Sequence, residues 1–423
     1  MREVVITGAG VVSSLGRSVP EFSRRMFAGE SGASAIRGTL VASNFPVPVG
    51  APVPRTTLGQ PAIFRDRDPE NTPHFLRMTG LATEEAVQSL PEGLPVDSIV
   101  YGGHGSVAFN LIEDSFRTFD PQKFDWDAFQ PESALDLIRK IAELRGHGPI
   151  HDRDLISLSN ACVTSNQAIG MAFQRIRSGQ WNRVITGAMY GRFAASEVMN
   201  FHMLGTLTTA DRPATEASRP FSRDRSGFVL GEGAATFILE AREAAESRGA
   251  TILGMVRGYA ATSDAYRVTD GRPDGKVAAQ AMLDAIEDAG LTPEQIQAIS
   301  AHGTSTPMND RIETLAIKRA FGTLAYGIPV VSLKSQVGHA VVAAGALEAI
   351  ACLQMLSEQR LAPTINYGEA DPQCDLDYVP NQSRPATLER ILSNNFGFGG
   401  QNACVVFERS PEVLNRDAAP RSM

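Results

Sequence analysis

The run Leu155-Ile156-Ser157-Leu158-Ser159-Asn160-Ala161-Cys162-Val163-Thr164-Ser165-Asn166-Gln167-Ala168-Ile169-Gly170-Met171-Ala172-Phe173 decides the fold class. A strand-like stretch ends at Ser159, and helix formers begin at Gln167. The spacing therefore predicts a strand leading into a helix, with Cys162 at the junction. Working outward, short apolar runs recur at residues 4–7, 98–101, 184–186, 235–239, 252–256, 329–332 and 403–407, and helical patterns lie between many of them. In one of these, Val277, Ala281, Ala285, Ile286 and Ala289 fall on a single face. Thr292-Pro293-Glu294-Gln295 then carries the cap, the first-turn proline and the returning side chain of a helix start. Strands alternating with helices imply an α/β fold with at least one well-buried sheet.

The rest of the composition removes other classes. The chain has 423 residues, 43% of them hydrophobic and 20% charged, which excludes collagen-like, coiled-coil and wholly disordered chains. Its formal net charge is −8 and no run of basic residues appears, so no nucleic-acid partner is expected. Cys162, Cys352, Cys374 and Cys404 are far apart, without the spacing of a disulfide framework or a zinc site. The most apolar stretch, residues 340–356, is interrupted by Glu348 and Gln354 and reads as a buried helix, so no membrane association is expected. The N-terminus enters a strand at once, without the shape of a signal peptide, and a cytoplasmic location follows as the expectation.

Several motifs carry chemistry. Gly8-Ala9-Gly10 follows a strand, but Ser13 stands where a dinucleotide fingerprint needs its third glycine, so the sequence reads as a tight turn. Cys162 at a helix N-terminus would feel the positive end of the helix dipole, which favours thiolate. Cys352 and Cys404 sit in apolar segments, and Cys374 lies among Asp371, Asp375 and Asp377. His302-Gly303-Thr304-Ser305-Thr306-Pro307 and Lys334-Ser335-Gln336-Val337-Gly338-His339 each follow a strand, the usual place for ligand binding in α/β sheets. Asn394-Asn395-Phe396-Gly397-Phe398-Gly399-Gly400 reads as a loop whose glycines permit unusual backbone angles.

In this order and spacing, these segments resemble the β-ketoacyl-acyl-carrier-protein synthases, in particular the type II elongating condensing enzymes of the thiolase superfamily. Further carriers are Arg219-Pro220-Phe221, the run from Asp224 to Gly233, and Ser263-Asp264-Ala265-Tyr266. The resemblance covers nearly the whole chain. It implies the five-layered αβαβα thiolase fold built from two similar halves. Residues 1–250 would form the half carrying the nucleophile, 251–410 the half carrying the two histidines and the lysine, and 411–423 a polar tail.

The implied activity is that of a 3-oxoacyl-[acyl-carrier-protein] synthase in fatty acid or polyketide biosynthesis. An acyl group held on Cys162 condenses with malonyl-carrier protein as carbon dioxide is lost. By the resemblance, Cys162 is the nucleophile, and the N–H groups of Cys162 and Phe398 form the oxyanion hole. His302 and His339 donate to the enolate. Lys334 sets the electrostatics, Glu313 orients that lysine, and Phe398 gates the two substrate sites. Thr304 and Thr306 bind the pantetheine arm, and Phe396 and Gly399 complete the substrate-binding set. Neither a redox cofactor nor a catalytic metal is implied, since substrates arrive on the phosphopantetheine of an acyl carrier protein. A structural monovalent cation near Glu348 and Asn394 is a further carry-over. The expected assembly is a homodimer, with a heterodimer with a second synthase-like chain as the other arrangement.

Three departures from the family pattern stand out. Val163 replaces a smaller residue after the nucleophile, residues 106–154 match poorly, and Arg267 stands where relatives often have histidine. They suggest a specialised synthase. Two other classes compete with the condensing enzyme. A non-catalytic, chain-length-setting partner would lack the nucleophilic cysteine that is present here. A ketosynthase-like acyltransferase would use the same cysteine without forming a carbon–carbon bond. A thiolase would need a second cysteine at the C-terminal glycine loop, and Gly399-Gly400-Gln401-Asn402 has none.

Overall fold

The computed structural model describes residues 1–38, 40–65, 72–103, 134–191 and 193–410. The expected polar tail, and residues 106–133 of the poorly matching stretch, lie outside the described residues. Ten strands form the main sheet: β1 (Val4–Ser13), β2 (Ser98–Gly102), β3 (Leu155–Leu158), β4 (Arg183–Tyr190), β5 (Gly233–Ala241), β6 (Gly254–Ser263), β7 (Ala298–Ser300), β8 (Val330–Val331), β9 (Arg390–Gly397) and β10 (Gln401–Glu408). Their spatial order is β8-β7-β9-β10-β6-β1-β5-β4-β2-β3. The join is short and antiparallel, with Val4, Val5 and Ile6 facing Val256, Met255 and Gly254.

On either side of that join the same motif appears twice. β1, the helix His74–Val87, β2, the helix Ala134–Leu144, β3, the helix Thr164–Arg177, β4 and β5 follow one another in the first set. β6, the helix Lys276–Asp288, β7, the helix Pro307–Phe321, β8, the helix Ala344–Glu358, β9 and β10 repeat that order. The alternation of strand side chains explains the layering. Ile99, Tyr101, Ile185 and Ile238 point to a core shared with the helices His74–Val87 and Ala134–Leu144. Their neighbours Val100, Val184, Phe237 and Leu239 point the other way, into a central core. The second set does the same, with Ile299, Leu392 and Val406 outward and Ala298, Ile391, Val405 and Phe407 inward. The helices Thr164–Arg177 and Ala344–Glu358 fill the centre between the two inward faces, so the chain has five layers, αβαβα. The apolar segment Val341–Glu358, long enough to cross a membrane, is 83% buried and serves as that core helix.

Three sequence expectations change. Gly8 to Gly10 is not a turn, because β1 runs unbroken to Ser13. The glycines instead let a helix lie directly on the strand: a Cβ on Gly8 would sit 2.3 Å from the carbonyl oxygen of Ala86, and one on Gly10 2.0 Å from that of Ala82. In the second set Gly258 makes the matching approach, 2.3 Å from the carbonyl oxygen of Ala285. The segment Thr292–Gln295 does form its cap, with Thr292 N–H donating to Gln295 Oε1 at 3.0 Å, but it is a single 3₁₀ turn rather than a helix. Asn394 to Gly397 is not a loop but the end of β9, paired to β10 as far as Gly397 and Gln401. Only Phe398, Gly399 and Gly400 make the turn, and φ is +84° and +75° at the two glycines.

Candidate active site

Cys162 occupies the turn between β3 and the helix Thr164–Arg177. Ala161 before it has a φ of +45°, which lifts the cysteine out of the strand direction. His302 lies just beyond β7, and His339 between β8 and the helix Ala344–Glu358. In the repeated motif His339 therefore stands where Cys162 stands in the first set. The two central helices face each other, and so their preceding turns converge. His339 Nε2 is 3.1 Å from Cys162 Sγ. The sulfur and a ring nitrogen of each histidine all lie within 4.8 Å of one another. The two imidazoles meet edge to face, with centroids 5.2 Å apart.

Electrostatics here follow from burial. All three groups are almost wholly enclosed. Burial, followed by the nearby positive charge of Lys334, holds both imidazoles well below their usual pKa, so both are neutral at pH 7. Burial also pushes the Cys162 thiol up to about 12, against the opposing pull of Lys334 and of the backbone N–H groups of Phe398 and Cys162. This differs from the expectation of a helix-stabilised thiolate: desolvation outweighs Lys334 and the two backbone N–H groups, and the resting sulfur keeps its proton. The two N–H groups that reach the sulfur come from different halves of the repeated motif and converge on one point.

Lys334 and Glu348 form a buried ion pair, and Asn395 Nδ2 donates to the second oxygen of Glu348 at 2.6 Å. Glu313 does not orient Lys334 as the sequence suggested. Its two carboxylate oxygens accept the backbone N–H of His302 at 2.8 Å and of Gly303 at 2.7 Å. Burial pushes the Glu313 carboxyl up to about 7. Glu348 is thus the carboxylate that pairs with Lys334, the part expected of Glu313. It lies fourteen residues from Lys334, one helix further on, where no local pattern pairs them.

A cavity of about 480 Å³ has Cys162, His302 and His339 at one end and passes Thr304, Thr306, Phe396 and Phe398. It reaches the surface at Leu204 and Met308, which are both exposed. Thr304 and Thr306 hydroxyls are 2.9 Å apart. Phe398, at the tip of the β9–β10 hairpin, stands 6.4 Å from the Phe201 ring, which in turn packs on Phe228 and through it on His339. Gly399 is held by its N–H to the Val268 carbonyl at 2.6 Å.

Among the described residues, two places have the donors for a cation. Cys162, His302 and His339 form a soft three-ligand set. The positive Lys334, which already depresses both imidazoles, opposes a dication there. The second is beside Glu348. Both amide atoms of Asn394 and the Oδ1 atoms of Asn395 and Asn166 are buried without a hydrogen-bond partner. A Cβ on Gly345 would fall 2.0 Å from Asn395 Oδ1 and 2.5 Å from Asn166 Oδ1. This oxygen-rich cradle suits a hard monovalent cation.

Comparisons with known proteins show the family. The family profile described as the β-ketoacyl synthase N-terminal domain matches residues 155–245, and that of the C-terminal domain matches residues 253–368. A 3-oxoacyl-[acyl-carrier-protein] synthase 2 from Synechocystis is 35% identical over 96% of this chain and 98% of its own. A β-ketoacyl synthase from Burkholderia phymatum superposes with a TM-score of 0.85 at 31% identity, covering 97% of this chain and all of that one. A type II polyketide ketosynthase solved with its acyl-carrier protein gives the same TM-score at 30% identity, over 97% of this chain and 99% of its own.

Proposed function

The chain belongs to the β-ketoacyl synthase family, and we propose that it joins an acyl group on Cys162 to the two-carbon unit of a malonyl-carrier protein with loss of carbon dioxide. The observation that carries this reading is the 3.1 Å contact of Cys162 Sγ with a neutral His339, beside a second neutral imidazole.

In the first half-reaction, an acyl thioester enters with its carbonyl oxygen at the N–H groups of Cys162 and Phe398. The Cys162 proton passes to the departing pantetheine sulfur as the Cys162 sulfur attacks, so that His339 keeps its own ring proton. One thioester bond forms and one breaks, so the exchange is close to thermoneutral. In the second half-reaction the malonyl carbon–carboxylate bond breaks. Carbon dioxide leaves, and the electron pair becomes an enolate whose oxygen takes hydrogen bonds from His302 and His339. Neutral imidazoles suit this: they donate to a developing anion without surrendering their proton. The enolate carbon attacks the acyl carbonyl, the bond to Cys162 breaks, and the released thiolate takes a proton from water.

The other residues support these steps. The Lys334–Glu348 pair keeps a positive charge near both rings. Glu313 fixes the backbone at His302, and Thr304 and Thr306 offer hydroxyls along the pantetheine path. Phe396 borders that path, Gly400 rather than the expected Gly399 lines it at the turn, and Phe398 gates between acyl and malonyl sites. A monovalent cation beside Glu348 would be held by the Oδ1 atoms of Asn395 and Asn166, whereas Asn394, the preceding residue along β9, faces the other side of the strand. No redox cofactor or catalytic metal enters the reading. The element-by-element repeat supports a division near residue 250, into a half with the nucleophile and a half with the histidines and lysine. An acyl carrier protein as substrate donor, a homodimeric assembly and a cytoplasmic location complete the proposal. Four unpaired cysteines, all buried, suit a reducing compartment.

Intact-mass spectrometry after mixing with an acyl-carrier protein tests the reading. One acyl adduct is expected on Cys162 and none on the Cys162→Ala variant. Acylation elsewhere, or none, would reject it.

A further inference from the structure

Both histidine turns are held by one segment, whose Arg223, Arg225 and Phe228 also border the cavity. Residues 218–232 lie between β4 and β5, in the first set of strands, yet they bind the loops of the second set. At the His339 end, His339 N–H donates to the Val229 carbonyl at 2.7 Å, and Gly231 N–H donates to the His339 carbonyl at 2.9 Å. A side chain on Gly231 would meet the Val337 carbonyl at 2.3 Å, so the two backbones touch. At the His302 end, Arg219 N–H donates to Ser305 Oγ and Gly227 N–H to the Ser305 carbonyl, both at 3.0 Å. Ser305 itself has a φ of +68°, a conformation a serine keeps only when its surroundings impose it.

Arg225 is the side chain that closes this clamp. It is buried, and its fork spans the loop after His302. Nε donates to the Thr306 carbonyl at 3.1 Å and Nη2 to the Pro307 carbonyl at 2.9 Å. Nη1 donates to the Ser222 carbonyl at 2.9 Å and to Asp371 Oδ2 at 2.6 Å. Asp310, wholly buried and 3.5 Å from Arg225 Nε, accepts the N–H of Phe221 at 2.7 Å and of Ser305 at 3.2 Å. The guanidinium thus ties the segment's own backbone to the chain four and five residues beyond His302. Cys162 and the N–H groups that reach its sulfur receive no bond from this segment.

The geometry points to Arg225 as a positioning residue that sets His302 against His339, and so governs the decarboxylation step rather than the acylation of Cys162. This inference rests on the condensing-enzyme reading above. A lysine would keep the charge beside Asp310 and Asp371 but could not reach both carbonyls, since the two bonds need the planar fork.

The experiment compares two half-reactions in Arg225→Gln and Arg225→Lys, at equal concentrations of folded protein. Release of carbon dioxide from malonyl-carrier protein reads the histidine pair. Acylation of Cys162 by an acyl N-acetylcysteamine thioester, which lacks the long arm passing Thr304 and Thr306, reads the cysteine. The expected result is a fall of at least tenfold in kcat for decarboxylation in both variants, with acylation within twofold of the unaltered protein. If Arg225→Gln does not fold, Arg225→Lys alone decides. Equal losses in both half-reactions, or full decarboxylation by Arg225→Lys, would overturn the assignment. An unaltered protein that acylates Cys162 but releases no carbon dioxide would instead reject the condensing reading itself.

Discussion

His339 Nε2 touches Cys162 Sγ at 3.1 Å, yet the sulfur beside it stays protonated because burial pushes its pKa up to about 12. The pair is therefore a neutral thiol and a neutral imidazole until a thioester arrives. Alkylation of Cys162 by iodoacetamide, followed by peptide mass spectrometry, should speed up about tenfold per pH unit between roughly pH 7 and 9, as the thiolate fraction grows. A rate that levels off near pH 7 would mean a resting thiolate and contradict this.

Both imidazoles are held well below the ordinary histidine range by burial first and Lys334 second. The unfolded chain takes up these protons near pH 6.5, while the folded chain resists them. The unfolded state then binds more protons as the pH falls below about 6.5, so folding stability rises with pH through that window and is lost on acidification. The melting temperature should drop from pH 6.5 to pH 5, and less steeply in a His302→Ala/His339→Ala double variant. Decarboxylation should likewise hold its rate down to about pH 6.5. An acid limb centred near pH 6.5 or above would show that the rings are not held below the ordinary histidine range.

Lys334 and Glu348 form a pair buried on both sides. Removing the lysine strands a carboxylate in the core, at a cost of roughly 3–5 kcal/mol. Lys334→Ala should therefore lower the denaturation midpoint severely, and Lys334→Ala/Glu348→Gln should recover much of the loss. If the double variant is as unstable as the single one, the stranded charge is not the cause.

The unpartnered amide oxygens of Asn395 and Asn166 beside Gly345 make a distinct prediction. Potassium or sodium chloride should raise the melting temperature above that in choline chloride of equal ionic strength. Gly345→Ala should abolish the difference, because its methyl group would occupy the space between two of the amide oxygens. Equal melting temperatures in all three salts would remove the cation from the account.

Much of this was legible in the sequence where chemistry and periodicity coincide. Cys162 at a strand-to-helix junction, and His302 and His339 just after short strands, could be placed from local pattern alone. What was missed depends on distance and desolvation. The Lys334–Glu348 pairing joins a strand end to the next helix, and the carboxylate nearer in pattern, Glu313, turned out to hold backbone. The end of β9 reads as a loop because Asn394 and Asn395, buried on its two faces, stand in place of apolar residues. Gly8 and Gly10 were read as a turn, although their purpose is the close passage of the helix His74–Val87, a contact with residues far along the chain. The Cys162 thiol was expected to be acidic from the helix dipole, and burial reversed the sign. The clamp built on Arg225 uses carbonyls, which leave no trace in residue type.

The most direct measurement is the product itself. The protein should be incubated with malonyl-carrier protein and a panel of acyl-carrier proteins, and the carrier-bound products weighed by mass spectrometry. The account predicts a 3-oxoacyl product two carbons longer than at least one donor, with carbon dioxide released in equal amount, and no such product from Cys162→Ala. Acyl exchange between carriers without chain extension would contradict it.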